Sequence, residues 1–277
     1  MPPSVPTRLL QLLAVALLLV TGSGCQSVNT WRPASSRVLQ SREIARQGIA
    51  ALEQGRVENA EKQLAQALAL NNKAEDISDI RFHYAEALWQ RGKQREALAQ
   101  LLILSKQRDD NPEVQNSLAE KLLELHEADA ALQCATRATK AVPRDYRGWV
   151  YRGKAYRMLA DKRAEKHEDV AAVELYKRSL ADLHRSVAYC GQSPGANREV
   201  LPELANVQRI LGQTEQELAT WQSLQQFYPP NQFPLTLLYR KAETLLALDR
   251  QDDADELMLQ ARNRNTTEIG DIPPFSR

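Results

Sequence analysis

PEVQNSLAEKLLELHEADAALQCATRATKAVP, residues 112–143, decides how this chain folds. Its first half places Leu118, Ala119 and Leu122 on one helical face. After a break near His126, its second half places Ala131, Ala135 and Ala138 at i, i+4 and i+7 on another. Two upstream segments superimpose on that second half. Glu58-Asn59-Ala60 is followed by Leu64 and Ala67, and Arg95-Glu96-Ala97 by Leu101 and Leu104. Each comes just after a glycine, Gly55 or Gly92. The leading alanines stand 37 residues apart (97 − 60) and then 34 apart (131 − 97). A recurring unit of two short amphipathic helices cannot bury its apolar faces alone, so the units must stack in series.

Composition agrees. Leu, Ala, Gln, Glu and Arg dominate the 277 residues, aromatics make up 6% and there are 11 glycines, which favours helix over strand. The fold class expected is all-α, an α-α superhelix. With 36 basic against 35 acidic side chains the net charge is +1, so no general field recruits nucleic acid, and any electrostatic function must be local.

A two-helix period near 34 resembles the tetratricopeptide repeat family, and the resemblance covers residues 41–264 as a solenoid of about six helix pairs. The family's pattern has large residues at positions 4, 11 and 24, small ones at 8 and 20, Ala at 27 and Pro at 32. Counted from Pro112, Ala119, Leu122, Ala131, Ala138 and Pro143 fall at 8, 11, 20, 27 and 32. The fourth repeat opens with Trp149, Gly153 and Tyr156 at 4, 8 and 11. The fifth, from Arg198, supplies Leu201, Ala205, Gly212, Trp221, Leu224 and Pro229. The sixth, from Leu235, supplies Leu238, Ala242, Leu245, Ala254, Met258 and Ala261. Small residues let the paired helices approach closely, large ones fill the gap to the next pair, and Pro ends the second helix. From Ala131 to Ala172 is 41 residues, seven above the period, so an insertion is expected near 161–169, in the charged run DKRAEKHED.

The N-terminus carries an address. Arg8 precedes the apolar run Leu9–Val20, which is too short to cross about 30 Å of hydrocarbon and reads as the core of a signal peptide spanning residues 1–24. Gly22-Ser23-Gly24-Cys25 resembles the lipobox of bacterial lipoproteins, which implies lipidation of Cys25 and removal of everything before it. Gln26 in place of Asp implies, by the same resemblance, outer-membrane sorting with the domain facing the periplasm. Residues 25–40 read as the lipidated Cys and a flexible tether, and residues 265–277 as a disordered tail.

No phosphate-binding loop, nucleophile elbow or metal-ligand spacing is present, and His83, His126, His167 and His184 are scattered, so neither enzymatic activity, metal nor cofactor is expected. Cys134 and Cys190 read as small apolar fillers, although export leaves a disulfide open. The family resemblance implies a concave groove lined by positions 2, 5, 9 and 12 of each first helix. Those positions are Asp79, Phe82, Glu86 and Trp89; Glu113, Asn116, Glu120 and Leu123; Arg147, Val150, Lys154 and Arg157; then Asn206 and Arg209. Such a groove would run from acidic and aromatic to basic and would dock a protein segment, with Phe82 and Trp89 as anchors. The competing reading has these charges simply pair between repeats, Glu120 with Lys154 for instance. The expected function is a membrane-anchored scaffold for protein partners in the bacterial cell envelope. The alternative is a structural lipoprotein of an outer-membrane insertion or pilus assembly machine.

Overall fold

The structure, a computed structural model, describes residues 36–71, 74–107 and 111–268. Among them twelve helices form six consecutive pairs and no strand occurs. The pairs are α1 (Ser36–Glu53) with α2 (Val57–Leu70), α3 (Ala74–Gln90) with α4 (Gln94–Gln107), α5 (Pro112–Glu124) with α6 (Ala128–Ala141), α7 (Tyr146–Ala164) with α8 (Asp169–Cys190), α9 (Pro194–Ile210) with α10 (Thr214–Gln225), and α11 (Leu235–Leu246) with α12 (Gln251–Glu268).

All six pairs turn by one device. Gly55, Gly92, His126, His167, Gly212 and Asp249 adopt φ between 57° and 75°, the left-handed conformation. The residue after each donates its N–H to the carbonyl five residues back, as Arg56 does to Ala51 at 2.8 Å and Glu168 to Arg163 at 3.0 Å. The left-handed residue itself bonds three residues back. This reciprocal pattern satisfies carbonyls that the end of a helix would otherwise leave open. Five of the six sit at position 15 of their repeat. Two of the chain's four histidines therefore serve the backbone.

The paired helices touch through their smallest side chains. A methyl group built on Gly48 would stand 2.8 Å from Cγ of Leu64, and one on Gly153 would stand 3.0 Å from Cγ of Leu183. Position 20 of the second helices is filled by Ala60, Ala97, Ala131 and Ala254, each fully buried. The apolar interior is divided into four clusters of buried side chains, the largest running from Ala119 to Ala261 and a smaller one, around Leu218, Ala242, Leu245 and Ala254, lying within that span. A solenoid buries its surface in this way, between neighbours and not around one centre.

The fourth pair is the exception. Its glycine meets Leu183, 30 residues on, whereas Gly48 meets Leu64 after 16, so the excess is fourteen residues and not the seven read from Ala172 (30 − 16 = 14). Ser179 takes position 20, donating its hydroxyl to the Gly153 carbonyl at 2.7 Å. The extra residues form helix and not loop. α7 has 19 residues and α8 has 22, against 13 and 14 in the third pair. Ala160 and Ala172, seven residues beyond Gly153 and seven before Ser179, are buried together and repeat the small-residue contact two turns further out.

Both ends also depart from the expected bounds. α1 begins at Ser36, inside the span read as tether, because no Pro or Gly between 36 and 40 stops the helix. α12 runs to Glu268, inside the span read as tail. The span read as a signal peptide, Cys25 and residues 269–277 lie outside the described residues.

Candidate functional site

Successive first helices touch one another, α1 with α3, α5 with α7 and α7 with α9. The first helices are thus the closely spaced, concave row, and their side chains decide what the groove offers.

In the N-terminal half the expected residues gather around a lysine that sequence reasoning passed over. Lys121 of α5, with only 8% of its side chain exposed, lies 3.5 Å from Glu86 of α3 and 3.0 Å from Glu120. Its Nζ is 5.4 Å from the centre of the Trp89 ring. Burial pulls the Lys121 pKa down, but Glu86, Glu120 and Glu124 together outweigh it and the net shift is upward. Ser117 donates to Glu86 at 2.8 Å, and Trp89 Nε1 donates to Glu124 at 3.0 Å. Trp89 is therefore held between one hydrogen bond, to Glu124, and the Lys121 ammonium over its ring. Phe82 stands edge-on to His83, with ring centroids 5.8 Å apart, and leans on the buried cluster of Ala85, Leu101 and Leu118. It belongs to the packing between repeats more than to the open groove. Asp79 pairs with His83 at 3.6 Å and borders a hollow of about 550 Å³ that Ala45, Ile49 and Ile80 line.

Further along, Asn111 caps α5 by accepting from the backbone N–H of Glu113, whose own side chain is exposed. Asn116 is buried. Its Nδ2 donates to Asp145 at 3.1 Å, while its Oδ1 finds no partner. Asp145 caps α7 and holds the Arg147 guanidinium at 2.9 Å. Lys154 pairs with Glu199 of α9 at 3.7 Å. Arg157 pairs with Glu203 of α9 at 3.3 Å and with Asp161 at 2.9 Å. Arg209 reaches Asn206 at 3.2 Å and Glu243 of α11 at 3.9 Å. Leu123 and Val150 pack into the interior, Val150 completely.

The charge gradient expected from the family positions is therefore not present. Lys154, Arg157 and Arg209 each meet a carboxylate of the next first helix, Arg147 is held by Asp145 at the cap of its own helix, and the groove is a ladder of paired charges. The Glu120–Lys154 pair does not form, because Lys121 and Glu199 lie nearer to each. Sequence reasoning could have found part of this: Glu199 and Glu243 occupy positions 2 and 9 of their repeats, the same positions that named Asp79 and Glu86. Lys121, at position 10, had no such signal. Burial raises the Tyr146 pKa, helped by Glu199, to which the phenol donates at 3.4 Å. Tyr151 is raised further, by burial and by Glu120 and Glu199. Cys134 and Cys190 are both thiols, not joined in a disulfide, and burial pushes Cys190 up to about 11.

The comparisons agree with this architecture. Residues 46–112 match the model of the tetratricopeptide repeat. No curated protein matches in sequence. Among solved structures, that of Pseudomonas aeruginosa PilF superimposes with a TM-score of 0.58 at 15% identity, covering 82% of this chain and 93% of that one. A thermophilic tetratricopeptide protein of Thermus thermophilus gives 0.53 at 19%, covering 74% and 99%. MamA gives 0.54 at 12%, covering 71% and 98%. At these identities the likeness is one of fold. With residues 46–112 matched by sequence, and with the same turn and the same stacking carried through all six pairs, the chain has the tetratricopeptide repeat fold.

Proposed function

We propose that this protein is a non-catalytic scaffold, lipid-anchored in the bacterial cell envelope and facing the periplasm, that docks an extended segment of a partner protein along its concave face. The observation that carries the docking part is the row of first helices. Their paired charges and the framed Trp89 give a rigid, polar surface with an aromatic anchor, which suits a segment of mixed charge. The tetratricopeptide fold is itself a support for protein partners in general. The anchor rests on Gly22-Ser23-Gly24-Cys25 after the Leu9–Val20 run. Several acyl chains, each buried CH₂ contributing about 0.8 kcal/mol, would hold such a protein at a bilayer surface, and outer-membrane attachment follows from Gln26.

Two measurements test the proposal. Cys25→Ser should move the protein from the membrane to the soluble fraction, and unchanged fractionation would remove the anchor. Photo-crosslinkers placed at Trp89, Lys154 and Arg209 in the intact protein should capture a partner, whereas positions on the second helices should not. Equal capture from both faces would remove the groove. If the captured protein is a subunit of an insertion or pilus machine, the scaffold is a structural part of that machine.

A further inference from the structure

Position 20 of the repeat is Ala60, Ala97, Ala131, Ser179 and Ala254 in five pairs, and in the fifth it is Glu217. A carboxylate has replaced the small residue at the tightest point of the pair. Glu217 is 2% exposed, and its Oε1 accepts from Trp221 Nε1 at 3.1 Å and, at 2.9 Å, from the Thr244 hydroxyl, which shares its one proton between Glu217 and the Arg240 carbonyl. Both donors are neutral. Among the described residues no Lys, Arg or His lies within ion-pair distance of Glu217. Sealing a carboxylate away from water without a cation is costly, so the arrangement calls for one from outside.

The geometry offers a place for it. Glu217 and Trp221 floor a pocket of about 230 Å³ that opens on the concave face between α9 and α11. Pro202 and Leu237 form its apolar walls, and Arg209 and Arg240 stand at its edge. Both arginines pair with Glu243, at 3.9 and 3.7 Å, and neither forms an ion pair with Glu217. With Oε1 taken twice, Oε2 is left to the pocket. A single free oxygen suits a point-like ammonium, whereas a guanidinium prefers both oxygens of a carboxylate. The apolar walls suit an aliphatic stem.

We propose that this pocket receives a lysine side chain of the docked partner, its ammonium on Glu217 Oε2 and its methylenes against Trp221, Leu237 and Pro202. The inference rests on the concave face being the docking surface. It makes the fifth repeat the place where that surface selects for sequence, the rest of the ladder being satisfied internally.

The Trp221 indole N–H bonds to Glu217, so its ¹H–¹⁵N resonance, assigned with Trp221→Phe, reports on the pocket. The full chain without its signal segment is titrated with acetyl-Gly-Gly-Lys-Gly-Gly-amide and with the same peptide carrying norleucine or arginine in place of lysine. The lysine peptide should shift the indole saturably, and the other two should bind about tenfold or more weakly. Glu217→Gln, which keeps an acceptor for Trp221 and Thr244, should abolish the preference for lysine. An equal response to norleucine, or an unchanged preference in Glu217→Gln, overturns the proposal. Shifts confined to the Trp89 indole overturn the lysine pocket and leave groove docking standing. If no resonance of the concave face moves with any peptide, both fall.

Discussion

Replacing Arg152 by Ala should destabilise the fourth pair more than any other single truncation of a surface-facing charge in this chain. Arg152 grips Asp182 of α8 with two hydrogen bonds, Nε at 2.7 Å and Nη2 at 2.8 Å, and donates to the Thr139 hydroxyl of α6 at 3.2 Å. Its guanidinium also stacks 4.6 Å from the centre of the Trp149 ring. One side chain thus ties three helices. The side chains are 16% and 4% exposed, so this pair lies outside the screened surface regime in which ion pairs contribute about 0 to 1 kcal/mol. Removing one partner of a buried pair strands the other and costs about 3 to 5 kcal/mol. Arg185, 3.5 Å from Asp182 and half in solvent, can swing in and recover part of that. A loss of about 3 kcal/mol is therefore expected.

Because repeats can melt separately, hydrogen exchange of the α7 and α8 amides alongside urea unfolding is the suitable assay. Exchange in α7 and α8 should speed up by about two orders of magnitude, which is the 3 kcal/mol converted at about 1.4 kcal/mol per tenfold. The α1 and α2 amides should be unaffected. The double variant Arg152→Met/Asp182→Leu, which leaves no stranded charge, should recover to within about 1 kcal/mol of the parent. A loss below about 1 kcal/mol for Arg152→Ala, or a double variant no better than the single, refutes the reasoning.

Other outcomes follow from the same geometry. Ala205→Trp places a large ring where no space exists, since Ala205 is fully buried in the fifth pair, and should cost about 1 to 3 kcal/mol by urea unfolding; an unchanged midpoint would contradict the register. His126→Gly, His167→Gly and Asp249→Gly each relieve a left-handed residue and should raise the unfolding free energy in urea, by up to about 1 kcal/mol each, while Gly92→Ala should lower it. Cys190, whose pKa burial raises to about 11, should resist alkylation at pH 8 in the folded protein and react on unfolding, after the half-buried Cys134. Its folded pKa lies above the unfolded value, so its contribution to stability is complete below the unfolded pKa and lost as pH rises toward 11. Stability that instead fell with acid across the same group would contradict the sign.

Much of the fold could be read in the one-dimensional chain, because it is set by contacts that recur at a fixed spacing. Gly48 against Leu64 involves residues within one repeat, and periodicity alone places them on facing sides of adjacent helices. Turn position 15 could be read where it holds Gly55 or Gly92 and was hidden where it holds Asp249, as was the displaced turn at His167, since nothing in those residue types announces a left-handed backbone. The fourth repeat resisted because Ala172 satisfies the same local rule as Ser179. Only the helix facing it, through Gly153, decides between two small residues seven apart.

Function divides along the same line. Sequence by itself determined the kind of object this is, a stack of helix pairs, because amphipathic period is a property of neighbouring residues. The tertiary structure alone decided which charges of the groove are spent on each other and which are left. Lys154 and Glu199 are 45 residues apart, Glu217 and Thr244 are 27 apart, and whether such groups meet depends on the stagger of whole helices, which no local spacing encodes.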